Sequence, residues 1–402
     1  MLALFLAPVY LILCWYIWKR WTHWLKHCHL LFDKPLVKGI IGVVYLFVIT
    51  SLLTSMLFPQ NLFHKFLKVI SNYWLGILLY ILLILFIVDF LRIVLKKISF
   101  SRKEFLFSRK GCVFVGTLCL CILVLISGIG VYNASVIKTT DYEVNVNKTV
   151  ENRKDLRIVL VADMHLGYNI GNLHMKQMVE KINKEKPDLV VVAGDIFDNE
   201  YAAVYQPEEI AKTLRNIKST YGVYACYGNH DVEEKILAGF TFDDDKHKES
   251  SKEMDDFLKK AGIKLLKDEG VLIDNSFYVY GRPDAYKRGN TKKQRKSPME
   301  ITKNMDREKP IIMIDHQPKE LQEMADAGVD LDLSGHTHDG QLFPGNLFVK
   351  LMWENSYGYL SERYNAQHCN IWSWAFWYQI CELERRVKYA VFWCILMKNK
   401  II

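Results

Sequence analysis

Long apolar runs fill the first third of the chain, and a mixed pattern follows them. Each run approaches the ~20 residues that a helix needs to cross the hydrocarbon core of a bilayer. The runs are Leu2–Trp18, Ile40–Phe58, Trp74–Leu91 and Cys112–Val131. From about residue 150 to 350, charged, polar and apolar positions are interspersed as in a soluble globular domain. We therefore predict an all-α transmembrane domain of about four spans over 1–135, and a linker over 136–154.

The first apolar run has a cleaved signal peptide as its alternative interpretation. A signal peptide carries its basic residues before the apolar stretch. Here the first basic residues, Lys19 and Arg20, come after it. The order of charge and apolarity therefore favours an uncleaved span.

The basic residues between the spans predict an orientation. The three connecting loops carry five, two and seven Lys and Arg residues in turn. Because cytoplasmic loops are enriched in Lys and Arg, this pattern indicates inside, outside and inside. Lys138, Lys148, Arg153 and Lys154 favour the opposite side but are fewer. We expect an integral protein of a bacterial cell membrane whose region after Val131 lies outside the cytoplasm.

Within 155–360, apolar runs alternate with helical patterns. Leu156–Ala162 is rich in β-branched residues, as buried strands are. Helical spacing covers Asn172–Glu185, which Pro187 ends, and Glu208–Ile217. The other predicted strands are Leu189–Ala193, Tyr221–Tyr227, Ile263–Leu266, Val271–Ile273, Phe277–Tyr280, Ile311–Ile314 and Asp330–Leu333. Strands that alternate with helices early and crowd together later predict an α/β fold, a two-sheet αββα sandwich.

Charge and cysteine content add two constraints. The net charge of +8 comes partly from the inside loops, where it reflects topology and anionic lipids more than nucleic acid. Of the nine cysteines, only Cys226 falls in the predicted soluble domain, so no disulfide framework holds that domain together. The basic stretch Lys287–Lys296 is interpreted as a solvated loop, with contact to lipid headgroups or a phosphorylated substrate as the alternative.

Metal-ligand residues follow five predicted strands. They are Asp163 and His165; Asp195, followed by Asp198 and Asn199; Asn229, His230 and Asp231; His316; and His336 and His338. Each cluster alone is ordinary, since Gly-Asp after a strand is usually a turn and a lone histidine is usually a core residue. In open α/β sheets, however, ligands gather outside the carboxyl ends of strands. Five such clusters predict one shared site.

These residue types suit a site for two divalent metal ions. Two ions ~3.5–4 Å apart can clamp the attacking and leaving oxygens of a phosphoryl displacement and acidify a bridging water to hydroxide. A bridging carboxylate keeps two like charges that close together. Imidazole and amide ligands favour Mn, Fe or Zn over Mg or Ca. A histidine just outside the metal shell can protonate the leaving oxygen.

The order Asp-x-His, Gly-Asp, Gly-Asn-His-Asp, His and Gly-His-x-His resembles the calcineurin-like metallophosphoesterases. Asp315–Pro318 and Leu333–Gly345 are similar to the bacterial membrane-associated branch, which includes cell-wall-associated phosphoesterases and hydrolases of UDP-diacylglucosamine. The resemblance implies a role for each matching residue. It assigns Asp163, His165 and His338 to one metal, Asn229, His316 and His336 to the other, Asp195 to the bridge, and His230 to the general acid, oriented by Asp231.

The chain departs from this family after about Tyr359. Tryptophans crowd where the family usually has Ser-x-Gly-Leu-Gly and then Arg-Ile-Gly-Thr. Codons that are possible for His368–Trp374, read one base later, permit the first of these motifs. We interpret 361–402 as an atypical tail, with a frameshifted translation as the hypothesis and a lineage-specific or fifth membrane segment as the alternatives. The frameshift predicts a second sheet without its final strands.

The sequence leaves three functions to compare. The leading one is hydrolysis of a phosphate mono- or diester, with membrane lipids as neighbours and a lipid- or envelope-linked phosphoester as substrate. A metal-dependent nuclease is disfavoured, because the spans place the site at a membrane and no aromatic and basic binding stripe is present, so we expect no nucleic-acid partner. A non-catalytic membrane sensor is disfavoured because no ligand position is missing.

Overall fold

The protein is described from a computed structural model. It describes residues 2–54, 58–59, 61–148, 155–234, 236–237, 240–241, 250–287, 295–338, 345–361, 367–370 and 387–396. The chain divides into two compact units, a mainly helical one that comprises Met1–Tyr132 and the short segment Ile236–Phe242, and an α/β one that begins at Asn133. Each unit is described by itself.

Three of the four predicted apolar runs lie wholly within helices of the helical unit, and the run Ile40–Phe58 is helical as far as Thr54. The helices are α1 (Leu2–Cys28), α2 (Pro35–Thr54), α3 (Leu62–Lys97), α4 (Lys103–Phe107) and α5 (Arg109–Ser135). Among the described residues, α2, α3 and α5 are long and apolar enough to cross a membrane. That α1 also crosses stays a prediction. Between α1 and α3, Arg20 Nη2 lies 2.5 Å from Asp89 Oδ1, so these two charges are paired.

The α/β unit contains two six-stranded sheets. The first has the order β1-β14-β2-β3-β4-β7, and the second has the order β12-β13-β11-β10-β9-β8. The strands of the two sheets are β1 (Ile137–Val146), β2 (Asp155–Val161), β3 (Leu189–Ala193), β4 (Val223–Cys226), β7 (Ile263–Leu265), β8 (Glu269–Ile273), β9 (Phe277–Gly281), β10 (Ile311–Ile314), β11 (Leu331–Ser334), β12 (Gly358–Ser361), β13 (Gln367–Asn370) and β14 (Val387–Leu396). A separate two-stranded sheet consists of β5 (Ile236–Leu237) and β6 (Phe240–Thr241), which belong to the helical unit.

Six helices accompany these strands. They are α6 (Asn172–Glu185), α7 (Pro207–Leu214), α8 (Lys252–Lys260), α9 (Pro298–Thr302), α10 (Leu321–Asp326) and α11 (Gly345–Met352). In α8, the Ser251 side chain caps the first turn by accepting a hydrogen bond from the Met254 backbone N–H. One face of α8 buries the side chains of Met254, Phe257 and Leu258.

Alternate residues of each strand belong to different layers of the core. Val159 and Val161 of β2 pack under α6, α7 and α8, whereas Ile158 and Leu160 face the second sheet. On β10, Ile312 and Ile314 meet the first sheet, and the intervening Met313 packs under α9 and α10. Helices therefore cover the outer face of each sheet, and the αββα prediction is confirmed.

The sheets also contain strands that the sequence did not predict. The segment interpreted as a linker, 136–154, begins with β1, whose Val144 and Val146 are buried in the core. Its partner is β14, nearly two hundred and fifty residues later, so no local pattern announces the pairing. β13 lies in the second sheet, where the frameshift hypothesis predicts missing strands. The frameshift itself stays a prediction, and the tryptophans at 372–377 lie outside the described residues.

Candidate metal centre

All nine candidate site residues lie where strands of the two sheets end. Backbone hydrogen bonds join the loops directly: Asp163 N donates to Gly194 O at 3.0 Å, and Gly335 N donates to His316 O at 3.0 Å. The first of these bonds ties the β2 loop to the β3 loop, and the second ties the β10 loop to the β11 loop. The predicted convergence of the loops at one edge is therefore what the structure shows.

The backbone of these loops is held in an uncommon conformation. Five of the nine residues have a positive φ between 43° and 73°, namely Asp163, His165, Asp195, His336 and His338. Such a conformation costs an L-residue on the order of 1–3 kcal/mol and persists only where the surroundings fix it. The sheets, through the hydrogen bonds between their loops, provide that constraint. The result is a set of side chains turned toward one point.

One cluster contains Asp163, His165, Asp195 and His338, which offer ligand atoms within 4.8 Å of one another. His165 Nε2 lies 3.5 Å from His338 Nε2 and 3.8 Å from Asp195 Oδ2. His338 Nε2 lies 3.9 Å from Asp163 Oδ1. Two nitrogens and two carboxylates at these separations can surround one cation.

A second cluster contains Asp195, His316 and His336, with Asn229 beside them. His316 Nε2 lies 3.1 Å from Asp195 Oδ2 and 3.0 Å from Asn229 Oδ1. His336 Nδ1 lies 3.1 Å from the same His316 nitrogen. Asp195 therefore belongs to both clusters, which is the position that the resemblance assigns to a bridging ligand.

Burial decides the protonation of these groups. Burial lowers the pKa of His165 and of His336 well below the usual range, and lowers that of His338 to about 3. Neutral imidazole, the form that binds metal, is thereby favoured. Burial also opposes the charge on Asp195, but the neighbouring His316 outweighs it and holds the pKa of Asp195 well below its usual range.

The residues fit a pair of divalent cations. Among the described residues, the buried Oδ2 atom of Asp195 makes no hydrogen bond, although two histidine nitrogens lie near it. In the part of the chain that the structure describes, only the two imidazole rings lie close enough to offset the negative charge of this buried carboxylate oxygen. Carboxylate, imidazole and amide donors together suit Mn, Fe or Zn. The Asp195 carboxylate thus lies between two candidate cation positions, one in each cluster.

The structure corrects the role expected of Asp231. Both oxygens of its buried carboxylate accept backbone hydrogen bonds, from Phe197 N at 2.8 Å and from Gly228 N at 2.7 Å. Asp231 therefore shapes the loop instead of orienting His230. The His230 ring is held by Asn199, whose Oδ1 is hydrogen-bonded to His230 Nδ1. His230 N also donates to Asp195 Oδ1 at 2.7 Å.

Sequence reasoning missed several residues next to the centre. Asn199 was noted after Asp195, but nothing in its spacing linked it to His230. Trp353 has its ring 5.3 Å from the His336 ring, seventeen residues further along the chain. Arg282 is wholly buried, with Nη1 at 2.9 Å from Asp315 Oδ2. In the sequence, Arg282 follows a predicted strand and Asp315 precedes His316, but nothing in their spacing predicts that they pair.

The central part of the chain is similar to known proteins. Residues 156–340 match the family model described as calcineurin-like phosphoesterase. An "uncharacterized metallophosphoesterase" of Helicobacter pylori is 31% identical over 49% of this chain and 48% of its own length. This chain therefore spans about half the length of that relative.

Other relatives extend further or are known in three dimensions. A "transmembrane protein with metallophosphoesterase domain" of Danio rerio is 28% identical over 87% of this chain and 78% of its own length. Because 87% of the chain cannot fit after residue 135, that similarity extends into the N-terminal helices. A solved 5'-nucleotidase precursor of Thermus thermophilus is 15% identical, with a TM-score of 0.34 over 60% of this chain and 54% of that one. Residues 156–340 are thus similar to the calcineurin-like metallophosphoesterases, and the three long apolar helices together with the transmembrane relative support membrane association.

Proposed function

We propose that this protein is a membrane-anchored phosphoesterase that uses two divalent metal ions to hydrolyse phosphate mono- or diesters. The observation that carries the proposal is the position of Asp195, whose Oδ2 atom lies within 3.1 Å of His316 Nε2 in one cluster and 3.8 Å of His165 Nε2 in the other. A single carboxylate shared by two clusters is what a dinuclear site requires. A lipid- or envelope-linked substrate outside the cytoplasm would match the candidate spans and the loop charges.

Each residue has a distinct task in this proposal. Asp163, His165 and His338 would hold one ion, and Asn229, His316 and His336 would hold the other, with Asp195 between them. The bound ions would supply an activated water and the positive charge that a phosphoryl transfer needs. Burial keeps His165, His336 and His338 neutral, whereas the carboxylates of Asp195 and Asp163 raise the pKa of the buried His316 well above its usual range, so that a bound cation would have to displace its proton. The two sheets hold the loops in place.

His230 would give a proton to the leaving oxygen. Its Nδ1 is engaged by Asn199 Oδ1, which requires a hydrogen on Nδ1 and leaves Nε2 as the atom that can exchange a proton with the substrate. Burial lowers the pKa of His230, so its imidazolium is a stronger acid than a solvated one. The His230 side chain is also more accessible to a substrate than that of the ligand His165, since 23% of its surface is exposed against 3% for His165.

The experiment that tests the proposal uses the full-length protein in detergent. Release of p-nitrophenol from p-nitrophenyl phosphate and from bis(p-nitrophenyl) phosphate is measured with Mn²⁺ and after chelation. We expect Mn²⁺-dependent hydrolysis in the wild type and a loss of orders of magnitude in Asp195→Asn. The amide can still accept the hydrogen bond from His230 N but cannot offset two dications, so folding should be retained.

The matched control is Asp326→Asn, an exposed aspartate at the end of α10, which should keep wild-type activity and metal content. Metal content is measured by mass spectrometry on the same preparations. Wild-type activity of Asp195→Asn at saturating Mn²⁺ would show that Asp195 is not the bridge. A wild type that binds two ions but hydrolyses neither ester would favour the sensor.

A further inference from the structure

The last candidate span leads directly into the first sheet. Helix α5 ends at Ser135, and β1 begins at Ile137, so only one residue separates them. A connection this short leaves the start of β1 within a few ångströms of the end of the helix. If α5 crosses a membrane, the end of the sheet at which β1 begins is the end to which that span is directly joined.

That end of the sheet is the one that bears the metal centre. Ile137 pairs with Val387 on β14, which runs parallel to β1. β14 runs antiparallel to β2, and its Ala390 pairs with Leu160. Val387 lies three residues before Ala390 on β14, and Asp163 lies three residues after Leu160. Because the two strands run antiparallel, Val387 is level with Asp163. Ile137 and Asp163 thus lie at the same edge, two strand spacings or about 10 Å apart across the sheet.

An exposed apolar helix lies on the same side of the second sheet. Helix α11 follows the loop after His338 and precedes Trp353, whose ring contacts His336. Four large apolar side chains of α11 are exposed, at 55%, 64%, 85% and 76% of their surface: Leu347, Phe348, Leu351 and Met352. Their spacing places them on one face of the helix. A contiguous apolar face of this kind marks an interaction surface.

Cationic and aromatic side chains accompany this face. Lys319 Nζ lies 5.5 Å from the centroid of the Trp353 ring and 3.7 Å from that of Tyr286, which is 71% exposed. Lys350 of α11 is also exposed. Lysines next to tryptophan and tyrosine are typical of surfaces that meet anionic lipid headgroups, where the rings lie at the level of the headgroups.

We infer that α11 lies on the surface of the lipid bilayer, with its apolar face inserted and with Lys319 and Lys350 at the headgroups. The metal centre then opens onto the membrane, and its substrate is a phosphoester carried by a lipid within that membrane. This inference rests on the proposed function for the hydrolysis and on α5 as a membrane span for the geometry. A bilayer is the occupant that the one-residue connection from α5 favours over a soluble partner or a second copy of the chain.

Photo-crosslinking tests the surface without relying on catalysis. The full-length protein is reconstituted in vesicles of phosphatidylethanolamine and phosphatidylglycerol, with Leu351→benzoylphenylalanine as the probe. The matched control is Leu272→benzoylphenylalanine, since Leu272 is 41% exposed and pairs with Tyr278 near the amino end of β9, away from the metal-bearing edge. We expect lipid adducts at position 351 and not at 272. Equal adducts at both positions, none at 351, or a link to a second protein chain would overturn the inference.

Kinetics separate this inference from the proposed function. Leu351→Ser should weaken hydrolysis of a phosphoester lipid in vesicles on the order of tenfold, because one buried leucine is lost from the lipid contact. It should leave p-nitrophenyl ester hydrolysis unchanged, and Leu272→Ser should change neither. An equal effect of Leu351→Ser on both substrates would contradict the inference. Absence of any hydrolysis in the wild type would instead contradict the proposed function, while the crosslinking result would stand alone.

Discussion

His230 differs from the candidate metal ligands in what surrounds its ring. His230 Nδ1 is hydrogen-bonded to the neutral amide of Asn199, with the Asp198 carboxylate further away at 3.8 Å, whereas His316 Nε2 lies 3.1 Å from the Asp195 carboxylate. His230→Ala should therefore cost ~10²–10⁴-fold for alkoxide leaving groups, the usual contribution of a general acid. A leaving group that needs no proton, such as p-nitrophenolate, should be affected much less. The measurement is the ratio of the two rates, which does not depend on how much protein is folded.

Two further variants show whether a change in the ratio of the two rates comes from loss of the general acid or from loss of metal. His336→Ala should slow both substrates alike and lower the metal content, because His336 Nδ1 lies in the second cluster. Asn199→Ala should show the same selective loss as His230→Ala to a smaller degree, because it removes only the orientation of the ring. Equal losses on both leaving groups for His230→Ala, with two metal ions still bound, would reject the general-acid role.

The sequence predicted which residues gather at the site but not how they are paired. Ligand types after strand ends were sufficient to find Asp163, Asp195 and His316, because strand ends share an edge. The assignment of an orienting role to Asp231 followed its adjacency to His230, yet its carboxylate is used by two backbone N–H groups. Asn199 takes that role from another loop. Contacts between loops depend on backbone turns that residue spacing does not specify.

At the scale of elements, the close approach of loops requires a glycine at 228. A Cβ atom at this position would lie 2.2 Å from Asp195 Oδ1 and 2.8 Å from His316 Cγ. Gly228→Ala should therefore displace both side chains, with a loss of metal content and a fall in activity on the order of 10²-fold. Gly171→Ala is the control, because its Cβ would meet nothing within 4 Å. Unchanged metal content in Gly228→Ala would show that the loops can separate without harm to the site.

The segment between β10 and α10 depends on a buried ion pair. Arg282 and Asp315 have side chains with 0% exposure, and Asp315 also contacts Arg295 Nη2 at 2.5 Å. Asp315→Asn should cost about 3–5 kcal/mol of folding free energy, because it removes the fully buried carboxylate that Arg282 and Arg295 share. For a domain of this size the melting temperature should fall on the order of 10 °C.

The comparison variant is Glu320→Gln, which removes a second carboxylate from the same arginine. Its side chain is 45% exposed, so water can replace part of the interaction, and the loss should stay below about 1 kcal/mol. Both variants are melted as full-length protein in detergent with a chelator present, so that metal binding does not contribute. Similar melting temperatures for the two variants would show that burial does not strengthen the pair.

Element prediction succeeded where the pattern is local and failed where it is not. Residues 172–185, 189–193 and 311–314 form the predicted helix and strands with the predicted bounds. β1 escaped prediction because its residues are only half-buried and its partner β14 lies at the other end of the chain. Helix α8 escaped because its charged residues dominate the sequence, although Met254, Phe257 and Leu258 form a buried stripe.

At the scale of the whole molecule, the side of the membrane that holds the α/β unit depends on α5 and the loop before it. The segment between the apolar runs of α3 and α5, residues 92–111, carries seven Lys and Arg residues, the largest number of the three segments between apolar runs. The assignment does not depend on whether α1 crosses the membrane, because α1 precedes two other candidate spans. The substrate pool that the enzyme meets is therefore set by the charge of one short segment.

Reporter fusions measure this orientation. A phosphatase that is active only outside the cytoplasm should be active when fused after Val131 and inactive when fused between Arg102 and Lys110, because basic loops are retained in the cytoplasm. A fluorescent protein that matures only in the cytoplasm should give the opposite pattern at the same two positions, which controls for differences in expression. If both reporters reverse, the loop charges do not set the topology. The metal centre would then meet phosphoesters of the cytoplasmic leaflet, still at the surface of the same membrane.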